Sequence, residues 1–282
     1  MTNDPNNPPV NDPNIPNNPI YQPPMANSYV QIKPFESGHT RALFVMIFLA
    51  AGILLNVVSI FSDFMQISML SAVAAGRTIS AEEADVNDSR QALIAIVQVL
   101  GYIVTAIGFL IWIHRAHRNL PALGAKNLEF TPGWAVGGFF VPFLNLFRPY
   151  KVTVEIWKAS SPEFGVSDDI FWEYAASSPL LGFWWGSWII SNILGRLVGK
   201  LSVGAKSADD FLSVTWLSIA SNIVSMLAAV LAITVVWLID KRQEEKHRLL
   251  LAANTQQWGA PPPQWGPPPP PPQQWGPPPQ QE

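Results

Sequence analysis

The sequence predicts an all-α integral membrane protein with four transmembrane helices, one re-entrant or interfacial segment, an amphipathic surface helix and disordered Pro-rich tails. Charged residues make up only 13% of the 282 residues, against about 25% in a typical soluble domain. The charges are also unevenly spread, because long windows of the sequence carry none. Such windows suit the hydrocarbon core of a bilayer.

Four windows predict membrane spans within a membrane domain of residues 41–248. About twenty helical residues, at about 1.5 Å per residue, cover a hydrocarbon core of roughly 30 Å. Arg41 and Asp63 flank the first window, and Trp112 near the end of the second suits the membrane interface. The windows are Ala42–Phe61, Ala92–Ile113, Leu180–Gly199 and Val214–Ile239.

Between the second and third windows lies Gly133–Phe147, which is apolar but short and is interrupted by Gly137, Gly138 and Pro142. We predict a re-entrant or merely interfacial segment here, because the run is too short to span. At helical spacing, the residues of 148–160 then separate into two faces. We expect this helix to lie in the interface, with Arg148, Lys151, Glu155 and Lys158 toward water and Tyr150, Val154 and Trp157 in the headgroup layer.

Small and polar residues form regular stripes on the third and fourth predicted spans. In lipid, small residues at this spacing let helix backbones approach closely. We therefore expect the two stripes to pack together, so that Gly195→Leu disturbs assembly, although the same residues equally suit a homo-oligomer. The stripes are Ser187, Ser191, Gly195 and Gly199 on one span and Ser218, Asn222, Ser225 and Ala229 on the other.

Both tails are rich in proline. Residues 1–40 begin with an Asn/Pro-rich stretch that has too few apolar residues to fold, so we predict disorder. Residues 249–282 contain three QWG units, with Trp258, Trp265 and Trp275, each followed by proline or by alanine and prolines. Such a segment favours extended polyproline II structure and predicts binding to cytoplasmic protein partners, with an inert spacer as the alternative.

The distribution of Lys and Arg predicts that both tails are cytoplasmic. If Gly133–Phe147 does not span, twelve basic residues lie on the side of the tails and four on the other side. A fifth crossing would give about seven and nine. The positive-inside rule favours the first arrangement.

The sequence offers few candidate functional residues. Asn145, Arg148 and Tyr150 follow the broken segment, and Arg196 is a charge inside a predicted span, which makes these four a candidate polar site. The basic collar at the end of the second span comprises His114, Arg115, His117 and Arg118. We predict that it contacts anionic headgroups, because two histidines without a nearby third ligand are too few for zinc.

The sequence carries no motif for catalysis, and it contains no cysteine. We therefore expect no enzymatic activity, no cofactor and no metal. The net charge of −3 also gives no indication of nucleic-acid binding.

Several motifs together resemble a bacterial multi-pass membrane family known only as a domain of unknown function. The resemblance implies a bacterial plasma-membrane protein and carries over no activity and no catalytic residues. Its motifs are HRAHRNL (His114–Leu120), PGWAV (Pro132–Val136), VPFLNLFRPY (Val141–Tyr150), EIWKAS (Glu155–Ser160) and the WW…SNILGR run (Trp184–Arg196).

Two functions remain open from the sequence. The first is a membrane anchor or adaptor whose Pro-rich tails recruit cytoplasmic partners. The second is a small-solute or ion transporter, or a channel subunit, that uses the broken segment 133–150. The adaptor requires its C-terminal tail, whereas the transporter requires Asn145 or Arg148.

Overall fold

The computed structural model describes residues 33–164 and 171–259, and these are helical with connecting loops. The predicted tail residues 1–32 and 260–282, including Trp265 and Trp275, lie outside the described residues. The main helices are α1 His39–Ala74, α2 Ala81–Arg118, α3 Pro132–Gly137, α4 Arg148–Ala159, α5 Pro179–Gly204 and α6 Ala208–Gly259. Single 3₁₀ turns lie at Pro121–Leu123, Leu144–Leu146 and Phe171–Tyr174.

Three of these helices are long and apolar enough to cross a membrane: α1, α2 and residues 208–253 of α6. With 36 and 38 residues, α1 and α2 are each more than 50 Å long at about 1.5 Å per residue. They therefore extend well beyond their predicted windows. The third predicted window is helical, as part of α5, but α5 is not among the three. Its tryptophans, glycines, serines and basic residues lower its hydropathy.

The helices pack around α6, which contacts α1 and α5, while α1 also contacts α2. α1 and α6 are antiparallel, because His39 pairs with Asp240 at one end and Asp63 pairs with Ser218 at the other. The hydrophobic core lies toward the first of these ends, which we call the tail end because α1 begins there and the apolar part of α6 stops there. Its fully buried members include Val45, Trp112, Ile113, Leu120, Ile156, Leu181, Val235, Val236 and Ile239.

The prediction that α4 lies on the surface with Glu155 toward water is wrong. Val152, Thr153 and Ile156 are buried completely or almost completely, and Glu155 is only 6% exposed. The charge of Glu155 faces inward because a buried histidine and a backbone N–H pair with its two oxygens. Lys151 remains exposed, and Lys158 donates to the backbone oxygen of Glu173.

The predicted pairing of small-residue stripes is also wrong. Ser218 and Asn222 of α6 face α1, where they donate to Asp63 at 3.0 and 3.4 Å. On α5, the hydroxyls of Ser187 and Ser191 donate to carbonyls of their own helix. Open space surrounds the α5 glycines, namely Gly182, Gly186, Gly195 and Gly199.

Both predicted tail boundaries differ from the structure. Residues 33–38, which we call the strap, pack onto the ends of α2 and α6, although the N-terminal tail was predicted to extend to residue 40. At the other end, α6 continues as a helix to Gly259 and includes the first ten residues after position 249. The polar sequence after Ile239 therefore belongs to the folded helix.

The packing predicts that leucine is destabilising at one helical glycine and tolerated at another. A Cβ atom at Gly108 would lie only 2.7 Å from Cε1 of Phe44, whereas a Cβ at Gly195 meets open space. We expect Gly108→Leu to destabilise the protein by about 1–3 kcal/mol through overpacking and Gly195→Leu to unfold like the wild type. Thermal unfolding in detergent, followed by circular dichroism, measures both. A greater loss of stability from the Gly195 variant would contradict this packing.

Candidate functional site

The tail end contains a dense group of buried polar side chains. Buried polar side chains require hydrogen-bond partners, because an unpaired buried polar group lowers the stability of the fold. Three helices, α2, α4 and α6, contribute its buried members, and the strap packs against them. Its buried members include Arg115, His117, Asn119, Glu155, Ser160, Asp240, Gln243 and Lys246.

The strap binds to the end of α2 through Glu36. The Glu36 carboxylate pairs with Arg115 and lies 3.6 Å from Arg118. The side chain of Asn119 also pairs with the strap backbone, since it donates to Glu36 O at 2.9 Å and accepts from Glu36 N at 3.4 Å. The hydrogen bond from Arg115 holds the pKa of Glu36 below its ordinary value, so this carboxylate is ionised at neutral pH.

The strap and the start of α1 also bind to α6. The Phe35 ring stacks on His247 with a centroid distance of 4.2 Å. His39 Nδ1 lies 2.8 Å from Asp240 Oδ2. The segment that precedes α1 is therefore held against the helix that leads to the C-terminal tail.

The interior of the site joins α2 to α4 through a buried histidine–carboxylate pair. His117 is fully buried, and its Nε2 lies 3.0 Å from Glu155 Oε2. The other oxygen of Glu155 accepts from the backbone N–H of Glu129. His117 Nδ1 has no hydrogen-bond partner in the described part of the chain.

These positions correct the predicted basic collar. His117 cannot reach headgroups from the interior, and Arg115 is 8% exposed and directed at the strap. His114 and Arg118, four residues apart on one helix face, remain half-buried at the periphery. Arg115 and His117 are two residues apart and therefore point to different sides of α2, Arg115 toward the strap and His117 toward α4.

Polar residues of α6 bind the carbonyl groups at the ends of α2 and α4. Gln243 Nε2 donates to Ala116 O at 2.8 Å and to Ser160 Oγ at 3.1 Å. Lys246 Nζ donates to Ala159 O at 2.9 Å. Because the last carbonyls of a helix lack intrahelical partners, these side chains satisfy them, and the lysine also complements the helix dipole.

Sequence reasoning missed these α6 residues, although a signal was present. Val236, Ile239, Gln243 and Lys246 recur at spacings of three and four, so the buried face of the apolar helix continues into the polar sequence. The amphipathic continuation therefore indicated that the polar residues also face the protein.

Of the four residues of the predicted polar site, only Asn145, Arg148 and Tyr150 lie near one another. Arg148 lies over the rings of Trp134 and Phe130, with its Cζ atom 4.7 and 5.8 Å from their centroids. Asn145 and Tyr150 are half-buried nearby. Here the charge of Arg148 makes cation–π contacts within the protein.

Arg196 lies apart from this segment. The segment meets α5 at Trp185, whose Nε1 donates to Leu146 O at 2.8 Å. Arg196 is eleven residues further along α5, or about 16 Å along the helix axis, and is exposed. The four predicted residues therefore do not form one site.

A second buried polar cluster lies at the opposite end of the α1–α6 contact. Asp63 is 4% exposed and accepts hydrogen bonds from Ser218, Asn222 and Gln91. Arg90 donates beside it to Ser62 and Asn87 and lines an open groove of about 480 Å³ between α1 and α2. In the sequence, Asp63 indicated only the boundary of a predicted span.

The arrangement joins helix ends and offers no evident metal centre. Within residues 33–164 and 171–259, no group of three or more His, Cys, Asp or Glu side chains is placed to hold a metal ion. The polar groups at the tail end contact one another across α2, α4, α6 and the strap. Their evident effect is to fix these elements relative to one another.

Comparison with known proteins gives a family but no activity. The model of the family described as "Domain of unknown function (DUF4328)" matches residues 75–241, more than half of the chain. The chain belongs to the DUF4328 family. This confirms the family resemblance seen in the sequence. No curated protein and no solved structure shows significant similarity to the chain.

The DUF4328 region contains some parts of the site and leaves others out. It includes His117, Glu155 and the broken segment with Asn145 and Arg148. The strap, all of α1, and α6 beyond residue 241 lie outside it. The C-terminal tail also lies outside the region that the DUF4328 model matches.

The buried pair predicts a large effect of Glu155→Ala. This change leaves both His117 Nε2 and the Glu129 N–H without their partner, at about 1–3 kcal/mol for each unsatisfied group. We expect a clearly lower melting temperature in detergent, with Glu155→Gln partly restoring it because its oxygen still accepts from Glu129. The exposed Asp85→Ala is the control, and equal melting of Glu155→Ala and this control would refute the buried pair.

Proposed function

We propose that the protein is a multi-pass anchor in the bacterial plasma membrane that recruits cytoplasmic proteins through its Pro-rich tails. The observation that carries this proposal is the joint attachment of the strap and α6 at the tail end. Phe35 stacks on His247 and His39 pairs with Asp240, so the strap that follows the N-terminal tail is held beside the helix that leads to the C-terminal tail. No catalysis by the chain itself is part of this proposal.

The course of α5 supports four crossings. α5 begins at the tail end, where Trp184 lies 5.9 Å from Phe109 of α2 between ring centroids. After Gly204 the chain turns within three residues into α6, which starts at the opposite end. α5 has 26 residues, or about 39 Å at about 1.5 Å per residue, which is sufficient to cross. With an even number of crossings, the excess of Lys and Arg at the tail end supports a cytoplasmic location for both tails.

The C-terminal extension of α6 supports the recruiting role. From Asp240 to Gly259 the helix covers about 30 Å, so the tail begins well away from the apolar part of α6. Trp258 lies in the last turn of this helix. The two QWG units beyond this helix, with Trp265 and Trp275, favour polyproline II structure, which aromatic-lined grooves bind at little entropic cost, and repeated copies allow avidity.

A transporter or channel subunit is the second candidate. The observation that favours it is Asp63, a buried carboxylate of α1 beside the apolar window 42–61, which accepts hydrogen bonds from polar side chains of α2 and α6. Ionisable residues in such positions commonly serve ion or proton pathways. Asn145 and Arg148 of the broken segment are the other residues on which this candidate relies.

The two candidates differ in the parts of the chain that they require. We expect proteins crosslinked to the full-length chain in its native membrane to be lost from a version that ends at Asn254, because that version lacks all three QWG units. Quantitative mass spectrometry of the co-purified proteins measures this. A matched variant with Trp258, Trp265 and Trp275 replaced by alanine should lose the same partners.

Retention of the same partners by both altered chains would contradict tail-dependent recruitment. In that case, solute or proton flux in vesicles that contain Asp63→Asn, Asn145→Ala or Arg148→Ala tests the second candidate. Loss of flux in these variants, with normal flux in the chain ending at Asn254, would establish transport instead.

A further inference from the structure

We propose that residues 139–147, which we call the wedge, insert into the acyl chains of the tail-side leaflet without crossing the membrane. The wedge is thus a lipid-binding surface within the segment 133–147, for which the sequence predicts either a re-entrant or a merely interfacial position. It does not rest on the recruitment of partners by the tails. The occupant of the surface is the bilayer itself.

The wedge presents three phenylalanine rings away from the protein. Phe140, Phe143 and Phe147 are 69%, 81% and 65% exposed. In water, so large an apolar surface on nine residues would be unfavourable. Next to helices that are apolar enough to cross a membrane, acyl chains are the natural partner for these rings.

The backbone at Phe143 is held in a strained conformation. Its φ is +64°, in the left-handed region that bulky residues rarely adopt. This conformation points the Phe143 ring away from the protein, so the ring makes few contacts with it. Strain at an exposed aromatic residue is understandable if the ring gains its contacts from lipid.

Contacts with α2 and α5 indicate the depth of the wedge. The Phe139 ring lies 6.0 Å from that of Phe109 and 6.3 Å from that of Trp185, and Leu146 O accepts from Trp185. Phe109 and Trp185 lie four and five residues inside the predicted spans 92–113 and 180–199. At about 1.5 Å per residue, the wedge therefore reaches about 6–8 Å below the tail-side limit of the spans.

The two flanks of the wedge are held at the tail end. Before the wedge, the Glu129 N–H is bound by Glu155, and after it α4 is bound to α2 through Glu155 and His117. The segment therefore enters and leaves on the same side. Directly after the wedge, the charged side chain of Arg148 contacts the rings of Trp134 and Phe130.

The backbone of the wedge is suited to an apolar environment. Within lipid, backbone N–H groups need partners inside the protein. Six of the eight N–H groups of the wedge, those of Phe139, Phe140 and each residue from Leu144 to Phe147, donate to nearby carbonyls at 2.8–3.2 Å. The N–H groups of Val141 and Phe143 make no such bond within the described chain, which limits the wedge to a shallow depth. A short compact turn of this kind can be immersed to a shallow depth where an open loop could not.

Depth measurement with a single cysteine tests the proposal, since the chain has no native cysteine. Phe143→Cys is labelled with an environment-sensitive fluorophore in the purified full chain, which is then reconstituted into phosphatidylethanolamine–phosphatidylglycerol vesicles. Quenching by iodide in the water is compared with quenching by lipids that carry a doxyl group at acyl position 5 or 12. Phe140→Cys and Phe147→Cys provide further positions should one variant fail to fold.

Two exposed positions calibrate the measurement. Thr131→Cys precedes the wedge and represents water, whereas Ile103→Cys, near the middle of the span 92–113, represents the deep bilayer. We expect the Phe143 label to be quenched several-fold more by the position-5 lipid than by iodide or by the position-12 lipid. Quenching by iodide as strong as at Thr131 would overturn insertion, and a depth equal to that of Ile103 would overturn a shallow wedge.

Dilution of the protein in lipid tests whether a second copy of the chain, instead of lipid, covers the three rings. If a second copy of the chain covered the three rings, quenching by the position-5 lipid would rise several-fold as the protein-to-lipid ratio falls. That outcome would overturn the lipid assignment, whereas quenching that is independent of this ratio supports it. The vesicles contain no partner proteins. The measured depth of the wedge therefore does not depend on whether the tails recruit partners.

Discussion

The antiparallel contact of α1 with α6 is the constraint on which the rest of the structure depends. A buried carboxylate fixes each end of it: Asp63 binds Ser218 and Asn222 at one end, and Asp240 binds His39 at the other. In lipid, apolar side chains provide little specificity between helices, whereas interhelical hydrogen bonds each contribute about 0.6–2 kcal/mol. Two polar pairings about 24 residues apart on α1 therefore set both the partner and the register.

This register brings the ends of four elements together. With α1 and α6 aligned, the strap meets α2 at Arg115 and meets α6 at His247. The polar face of α6 then reaches the terminal carbonyls of α2 and α4 through Gln243 and Lys246. The strap and α6 are thus held together at the same end of the molecule by Arg115, Asp240 and His247, which is the physical basis of the proposed anchoring role.

The sequence predicted local properties of the chain better than the partners of each helix face. Apolar runs predicted the helices, and the glycines and proline of residues 133–147 predicted the break, because these signals are local. The direction of Glu155 was missed because a charged residue on an amphipathic helix is normally assigned to water, and its partner His117 lies 38 residues away. The stripe of Ser218 and Asn222 was recognised, but periodicity identifies a face of a helix without identifying the helix that covers it.

The most direct test of this account is the location of the two ends of α6 across the membrane. Single cysteines at Gln264 and at Lys206, the latter in the turn before α6, are treated with a membrane-impermeant maleimide in intact bacterial cells and again after permeabilisation. The account predicts that Lys206→Cys is labelled in intact cells and that Gln264→Cys is labelled only after permeabilisation. Labelling of Gln264→Cys from outside intact cells would contradict the cytoplasmic location of the tails and, with it, the proposed function.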